Sequence, residues 1–442
     1  MRDTKKSVAR RRHVPGLAFI LTFAAAIALC GIISCRSADD PRASRYGPQA
    51  AVVPSPSPIP DRIILTWSAD PATSQAVTWR TDASVSASYA EIALADASPD
   101  FYRGAVRHTA GTTPLRTTSG RAHYHSVTFT GLESSTLYAY RVGSNEAWSE
   151  WFQFRTARVD PAPFSFIYLG DAQNNILAMW SRAIRSAYAA APNARFLLHA
   201  GDLVGHGDDD RDWAGWFRAG AWIYAMIPSI PVIGNHEYYV LGSDDERLPE
   251  QWRAQFTLPE NGVPQLEETN YVIDYQGLRV VVLNSCEHLE AQTPWLEQTL
   301  RDNPNHWTIA AFHHPVYSAT EGRDNSELRA LWKPLLERYH VDLVLQGHDH
   351  AYARGRNLPR VERNAGRGAG PVYVVSISGP KMYELAERRW MDRCAEDTQL
   401  YQIISIDRDV LRYEAHTVTG ELFDAFALVK RPNGTAMLIE GS

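Results

Sequence analysis

The sequence predicts two globular domains behind a leader and a spacer: an all-β sandwich, then an α/β domain. Three observations carry that expectation. Short β-favouring runs alternate with turn residues from Asp61 to about Val159. From Pro163 onward apolar strands feed helical stretches. Five of those later strands end at once in carboxylate, amide or imidazole side chains, which is where α/β sheets build sites.

Length and composition agree with two cores. The 442 residues include 45% apolar and 11% aromatic side chains, which excludes disorder as the main state. The formal net charge is −6. Residues 1–35 hold six basic groups and one acidic group, which leaves 38 basic and 49 acidic groups, or −11, in the rest. No nucleic-acid scaffold binding is expected from such a surface. An anionic ligand needs a local device such as a metal ion.

Lys5, Lys6, Arg10, Arg11 and Arg12 precede an uncharged run over 14–34, the order of an export signal. Its 21 residues exceed an ordinary signal core of ~7 to 15, so an uncleaved anchor helix is the alternative. Ile32-Ile33-Ser34-Cys35 resembles the lipobox of bacterial lipoproteins, whose cysteine is acylated after cleavage. Residues 1–35 are therefore expected to be a lipoprotein leader lipidated at Cys35. The implied location is the cell envelope or periplasm, with a membrane contact through the lipid or the N-terminal anchor. Residues 36–60, rich in Pro, Ser, Ala and Arg, read as an extended spacer. Beyond the leader, Cys286 and Cys394 are the only thiols. An exported setting permits a bridge between them, and two unrelated buried cysteines are the equal alternative.

The sandwich is expected over 61–159, with strands at 63–67, 76–80, 89–94, 123–128, 137–142 and 151–155. Val77-Thr78-Trp79 and the run 138–142, with Gly131-Leu132 before it, resemble a fibronectin type III strand pair. The second domain is expected over 160–431. Its strands fall at 164–169, 196–199, 230–233, 279–283, 308–312, 343–345, 372–377 and 401–406. Helices are expected at 176–190 and 213–224 and near 294–301 and 326–338. Residues 432–442 read as a loose tail.

The chemistry lies in the loops after those strands: Asp171 in Gly170-Asp171-Ala172-Gln173, Asp202 after Gly201, Asn235-His236-Glu237 after Gly234, His313-His314, and His348-Asp349-His350 after Gly347. Loops after parallel strands gather at one sheet edge. Carboxylates, an amide oxygen and imidazoles together suit a pair of divalent or trivalent metals. One aspartate between the ions can bridge them. Any one of these signals is modest; all five, in order on five strand ends, make a site.

The series GD, GD, GNHE, H-x-P, GHDH resembles the calcineurin-like metallophosphoesterases. Together with the preceding β domain it resembles the purple acid phosphatase subgroup, over residues 61 to about 430. The resemblance implies an α/β metallophosphoesterase fold of two β-sheets flanked by helices. It implies that Asp171, Asp202 and His350 hold one metal, while Asp202, Asn235, His313 and His348 hold the other. His236 is then the acid that protonates the leaving oxygen, and a metal-activated hydroxide is the nucleophile. Two departures stand out. The subgroup carries a metal-binding tyrosine where this chain has Gly205, so no tyrosinate ligand and no purple charge-transfer band are expected. Gln173 stands where other members place a histidine, and is a candidate ligand or a hydrogen bonder to one. His314 and Arg323 are candidate substrate contacts. Fe, Mn and Zn all fit the donor set.

The expected function is an exported, acid phosphatase-like phosphomonoesterase acting on a small-molecule or exposed phosphate ester. A phosphodiesterase or nucleotidase of the same fold is the alternative among enzymes. A surface binding protein with a vestigial metal site is the alternative of another class. Asp208-Asp209-Asp210 reads as a solvated loop and His199 as a core histidine. Glu237 reads as a tuner of His236 or a solvated carboxylate, and Tyr317 and Tyr352 read as packing residues.

Overall fold

The computed structural model describes residues 55–244, 246–356, 370–386 and 388–441. The leader, Cys35 and most of the 36–60 spacer lie outside the described residues. Among the described residues no helix is long and apolar enough to cross a membrane.

The first domain is a sandwich of two four-stranded antiparallel sheets. One sheet runs in the order Asp61–Thr66, Ser74–Asp82, Gly120–Thr130, Gly111–Thr117, and the other in the order Val106–Thr109, Tyr89–Leu94, Leu137–Gly143, Phe152–Arg155. Alternate residues such as Val77, Trp79, Tyr140, Phe152 and Phe154 fill the space between them. Two strands escaped the sequence reading. Val106–Thr109 and Gly111–Thr117 lie at sheet edges and are mostly exposed, so they carry no inward apolar alternation to detect.

The second domain stacks two seven-stranded mixed sheets. In the first, Ser229–Pro231, Leu197–His199 and Phe164–Leu169 are parallel. They continue into the antiparallel strands Leu400–Asp407, Val410–Thr417, Leu422–Lys430 and Ala436–Glu440. In the second, Leu278–Val282, Trp307–Ala311, Leu343–Gln346 and Val372–Val375 are parallel. Their side chains alternate between two cores. Val280, Val282, Ile309, Leu343, Leu345 and Val374 face the first sheet. Val281, Ala310, Val344 and Val375 face the helices Leu289–Arg301 and Ser326–Arg338. Burial on both faces explains why these strands read as unbroken apolar runs.

Three expectations are corrected. The tail over 432–442 is not loose: Ala436–Glu440 pairs antiparallel with Leu422–Lys430 and extends the first sheet. Cys286 and Cys394 are both free, and Cys394 is exposed. Cys286 follows Leu278–Val282, whereas Cys394 lies on the edge strand Arg393–Ala395, five positions away in the strand order. At ~4.8 Å per strand that is about 24 Å, far beyond disulfide reach. Finally, the Asp208–Asp210 segment is not simply solvated. Asp209 caps the helix Asp210–Gly220 by accepting the Arg211 N–H at 2.9 Å, and Asp210 is fully buried.

Asp210 joins the domains. Its carboxylate lies 2.8 Å from Arg62 and 3.1 Å from Arg80, both on the sandwich and both buried, and Asp61 adds a second carboxylate to Arg80 at 2.6 Å. Around this cluster Tyr140 donates to the Ala225 carbonyl at 2.6 Å and Thr66 to the Thr257 carbonyl at 2.7 Å. Removing one member of a buried ion cluster strands the others without a counter-charge. Asp210→Asn is accordingly expected to lower the unfolding free energy by about 3 to 5 kcal/mol in denaturant titration. A loss under about 1 kcal/mol is what a surface pair would give, and would show that the cluster does not hold the interface.

Candidate metal centre

The parallel strands of both sheets end at one edge, and their loops meet there. Phe164–Leu169 delivers Asp171, Leu197–His199 delivers Asp202, and Ser229–Pro231 leads to the short helix Asn235–Tyr238. From the second sheet, Trp307–Ala311 delivers His313 and His314, and Leu343–Gln346 delivers His348 and His350. Two donor groups result: Asp202 with His313 and His348, and Asp171 with Asp202 and His350. Within each group the donor atoms lie within 4.8 Å of one another, and Asp202 belongs to both.

Hydrogen bonds orient each donor inward. His313 Nδ1 donates to the Ala200 carbonyl at 2.8 Å, and His350 Nδ1 to the Lys381 carbonyl at 3.0 Å, which leaves both Nε2 lone pairs facing the site. Asn235 turns its NH2 to the Tyr239 hydroxyl at 2.9 Å. Its Oδ1 therefore faces His313 Nε2 at 3.1 Å and His348 Nδ1 at 3.0 Å. Asp171 accepts the His348 N–H at 2.9 Å, and Asp202 accepts the His236 N–H at 2.9 Å. Each carboxylate keeps an oxygen for the site, 3.2 Å from His350 Nε2 and 3.1 Å from His313 Nε2 respectively.

The electrostatics of this cage call for a cation. Asp171 and Asp202 are fully buried, and no Lys or Arg pairs with either among the described residues. Burial, with the Asp202 charge adding to it, pushes Asp171 up to about 7. Burial opposes protonation of His313, but the two aspartates outweigh it and raise the ring to about 9, while Asp202 is held well below the usual carboxylate range. Burial drives His348 and His350 well below the ordinary imidazole value, so both offer neutral donors. Gln173 places its NH2 2.8 Å from His350 Nε2 and leaves Oε1 buried without a partner, an acceptor that a cation at this point would satisfy. The residues present thus fit a pair of metal ions sharing Asp202.

The remaining sequence candidates take distinct places. His236 donates from Nδ1 to the Gly205 carbonyl at 2.8 Å and turns Nε2 toward Asp202, 3.9 Å away. Burial lowers it to about 4, and Asp202 pulls the other way. His314 is half-buried, with Nδ1 3.0 Å from the Ser285 hydroxyl and its ring 4.3 Å from that of His348. Arg323 donates to the His348 carbonyl at 3.0 Å and lies 3.3 Å from the Tyr383 hydroxyl. Tyr352 is buried and donates to Asp424 at 2.7 Å, and Tyr317 packs on Trp390. His199 is buried among Trp180, Trp216 and Tyr224.

Glu237 neither tunes His236 nor faces solvent. Its buried carboxylate receives the N–H groups of Asp202, Leu203, Val204 and Gly234 at 3.0, 2.8, 3.3 and 2.7 Å, and so stitches two donor loops together. The sequence signal was present in Gly-Asn-His-Glu; what it could not show was the direction of the side chain. Sequence reasoning also missed the loop after Val372–Val375, which enters the site through Lys381 and Tyr383.

Residues 60–156 match the family described as the purple acid phosphatase N-terminal domain, and residues 164–352 match the calcineurin-like phosphoesterases. A purple acid phosphatase from Glycine max is 26% identical over 286 residues, covering 59% of this chain and 61% of that protein. The Fe(3+)-Zn(2+) purple acid phosphatase 12 of Arabidopsis thaliana is 26% identical over 287 residues, 59% of this chain and 60% of its own length. The chain thus spans about three fifths of the length of these curated relatives. Among solved structures, purple acid phosphatase PPD1 from yellow lupin (Lupinus luteus) superposes with a TM-score of 0.69 at 16% identity, covering 87% of this chain and 76% of that one.

The four N–H bonds make Glu237 a structural anchor. Glu237→Ala is expected to cost about 3 kcal/mol in stability, because it leaves several buried donors unpaired. The same change should lower the metal retained by the protein in elemental analysis. A solvated carboxylate would change neither quantity.

Proposed function

We propose that this chain, which belongs to the calcineurin-like phosphoesterases and carries the purple acid phosphatase N-terminal domain, is an exported phosphohydrolase that works with two metal ions on phosphate esters. Phosphomonoester hydrolysis is its leading activity. The observation that carries this reading is the pair of buried donor groups joined through Asp202.

Asp171, Asp202 and His350 would hold one ion, with the Gln173 carbonyl available beside them, and Asp202, Asn235, His313 and His348 the other. When bound, the ions supply the Lewis acidity that makes water a nucleophile near neutral pH and offsets charge on the phosphoryl oxygens. Ions of Fe, Mn or Zn suit these nitrogen and oxygen donors, and an Fe(3+)-Zn(2+) pair is the one named for the Arabidopsis relative.

The chain's own groups do the rest. His236 is held by the Gly205 carbonyl with its Nε2 toward the cage, 3.9 Å from Asp202, where it donates a proton to the departing alkoxide. An arriving phosphate dianion favours the protonated ring, as Asp202 does. His314, held by Ser285 beside His348, offers its Nε2 to a phosphoryl oxygen. Arg323 braces the His348 carbonyl and adds positive potential at the rim.

The basic-then-apolar leader supports export, and Cys35 supports a lipid tether. Cys35→Ala should release the mature protein from the membrane fraction, and unchanged membrane partitioning would remove the lipid from this account.

Purified protein is expected to retain two metal ions per chain by elemental analysis and to release phosphate from an aryl phosphate, with no visible charge-transfer band. Asp202→Ala should abolish both metal retention and turnover. His236→Ala should cut kcat by about 10²- to 10⁴-fold on an alkyl phosphate and much less on a nitrophenyl ester, whose leaving group needs no proton. Full activity in either variant would sink the metal-assisted reading. Folded protein that binds no added metal would return the binding-protein alternative.

A further inference from the structure

A sixth strand end reaches the cage. Strand Val372–Val375 runs into a loop tied down at three points: Ile377 forms a bridge with Asp171, the Gly379 N–H donates to the Asp171 carbonyl at 2.7 Å, and the Tyr383 N–H donates to the His350 carbonyl at 3.0 Å. Lys381 lies between these ties, and its own carbonyl takes the Nδ1 proton of His350 at 3.0 Å. The residue is 8% exposed. Among the described residues no carboxylate or carbonyl lies within bonding distance of its ammonium, whose neighbour is the Tyr383 ring at 5.4 Å. The Arg323 guanidinium is 4.7 Å from the same ring. The stem of the side chain is covered, while the ammonium, without a protein counter-ion among the described residues, is left to solvent or to an anionic ligand. The Tyr383 ring in turn lies 4.7 Å from that of His350, so the Lys381 side chain stands beside the Asp171 side of the cage.

We propose that Lys381 contacts the phosphoryl group of the substrate and selects doubly charged monoesters over singly charged diesters. The inference rests on the phosphohydrolase reading and narrows its substrate class. Coulomb attraction to one extra ammonium is about twice as large for a dianion as for a monoanion at the same distance. Arg323, already held by the His348 carbonyl, adds to the potential without being free to move to the substrate.

The test uses the metal-loaded full chain at pH 8 with Lys381→Met, which keeps the apolar stem, and Lys381→Arg, which keeps the charge. The ratio of kcat/KM for 4-nitrophenyl phosphate to that for methyl 4-nitrophenyl phosphate should fall at least tenfold in Lys381→Met and recover most of its value in Lys381→Arg. Calorimetric affinity for inorganic phosphate should weaken in parallel. A ratio within twofold of the parent in both variants would overturn the proposal. If the parent hydrolyses neither ester, the phosphohydrolase reading fails by itself. The phosphate-binding arm still decides the role of Lys381, since unchanged affinity in Lys381→Met rejects it and weakened affinity supports it. Should Lys381→Met fail to keep its metals, Lys381→Gln carries the same readouts.

Discussion

The donor-bearing edge of this protein depends on keeping two carboxylates, Asp171 and Asp202, buried close together. Two like charges out of water are costly, and the protein supplies no Lys or Arg to balance them among the described residues. It surrounds them instead with backbone N–H groups and imidazoles aimed by carbonyls, an arrangement that suits cations. The remaining features of the edge follow from that demand. Two of the histidines, His313 and His350, turn Nδ1 to a backbone carbonyl and so aim Nε2 at the carboxylates. The loops must not drift apart under the repulsion, so Glu237 collects four N–H groups from two of them.

Crowding at this edge also explains the residue types beside the donors. Asp202, His348 and His350 sit at φ of 51°, 74° and 44°, a left-handed backbone that L side chains rarely adopt. Such strain persists because hydrogen bonds on both sides over-determine it. The neighbouring glycines serve close approach. A Cβ at Gly234 would lie 2.3 Å from an Asp202 carboxylate oxygen, and one at Gly347 would lie 2.2 Å from an Asp171 oxygen. Alanine at either position would push the very carboxylate that the site is built around.

Much of this was legible in the sequence, and the reasons for what was not are physical. Parallel strands buried on both faces announce themselves as apolar runs, and their polar ends mark the site, so the five loops carrying Asp171, Asp202, Asn235, His313 and His348 could be named from pattern alone. Edge strands such as Gly111–Thr117 have one wet face and a threonine-rich sequence, and periodicity says little about them. Ala436–Glu440 is short and follows a turn, so only its partner strand reveals it. Charge signs were readable and their environments were not: Asp210 and Glu237 look like surface acids until arginines or N–H groups from elsewhere in the chain close over them. Lys381 was missed because a lone lysine after a strand resembles any solvated one. The strand-end rule that found the other five loops applies equally to Val372–Val375, and carried one loop further it leads to Lys381.

The sandwich matters to the site even though it contributes none of the candidate ligands. Its Arg62 and Arg80 grip Asp210, the first residue of helix Asp210–Gly220. Two residues into that helix, the Asp212 carboxylate accepts the Gly205 N–H at 2.9 Å, and the Gly205 carbonyl in turn receives Nδ1–H of His236 at 2.8 Å. A line of polar contacts, buried at the interface and part-buried beyond it, thus runs from the domain interface to the imidazole that faces the cage. Its effect is positional: it fixes where the loop over 202–205 stands and therefore where His236 Nε2 points. A Cβ at Gly205 would come within 2.9 Å of the Asp212 carboxylate and would have to displace that side chain from the Gly205 N–H. The loop uses the Gly205 backbone to hold His236 from one side and the helix from the other.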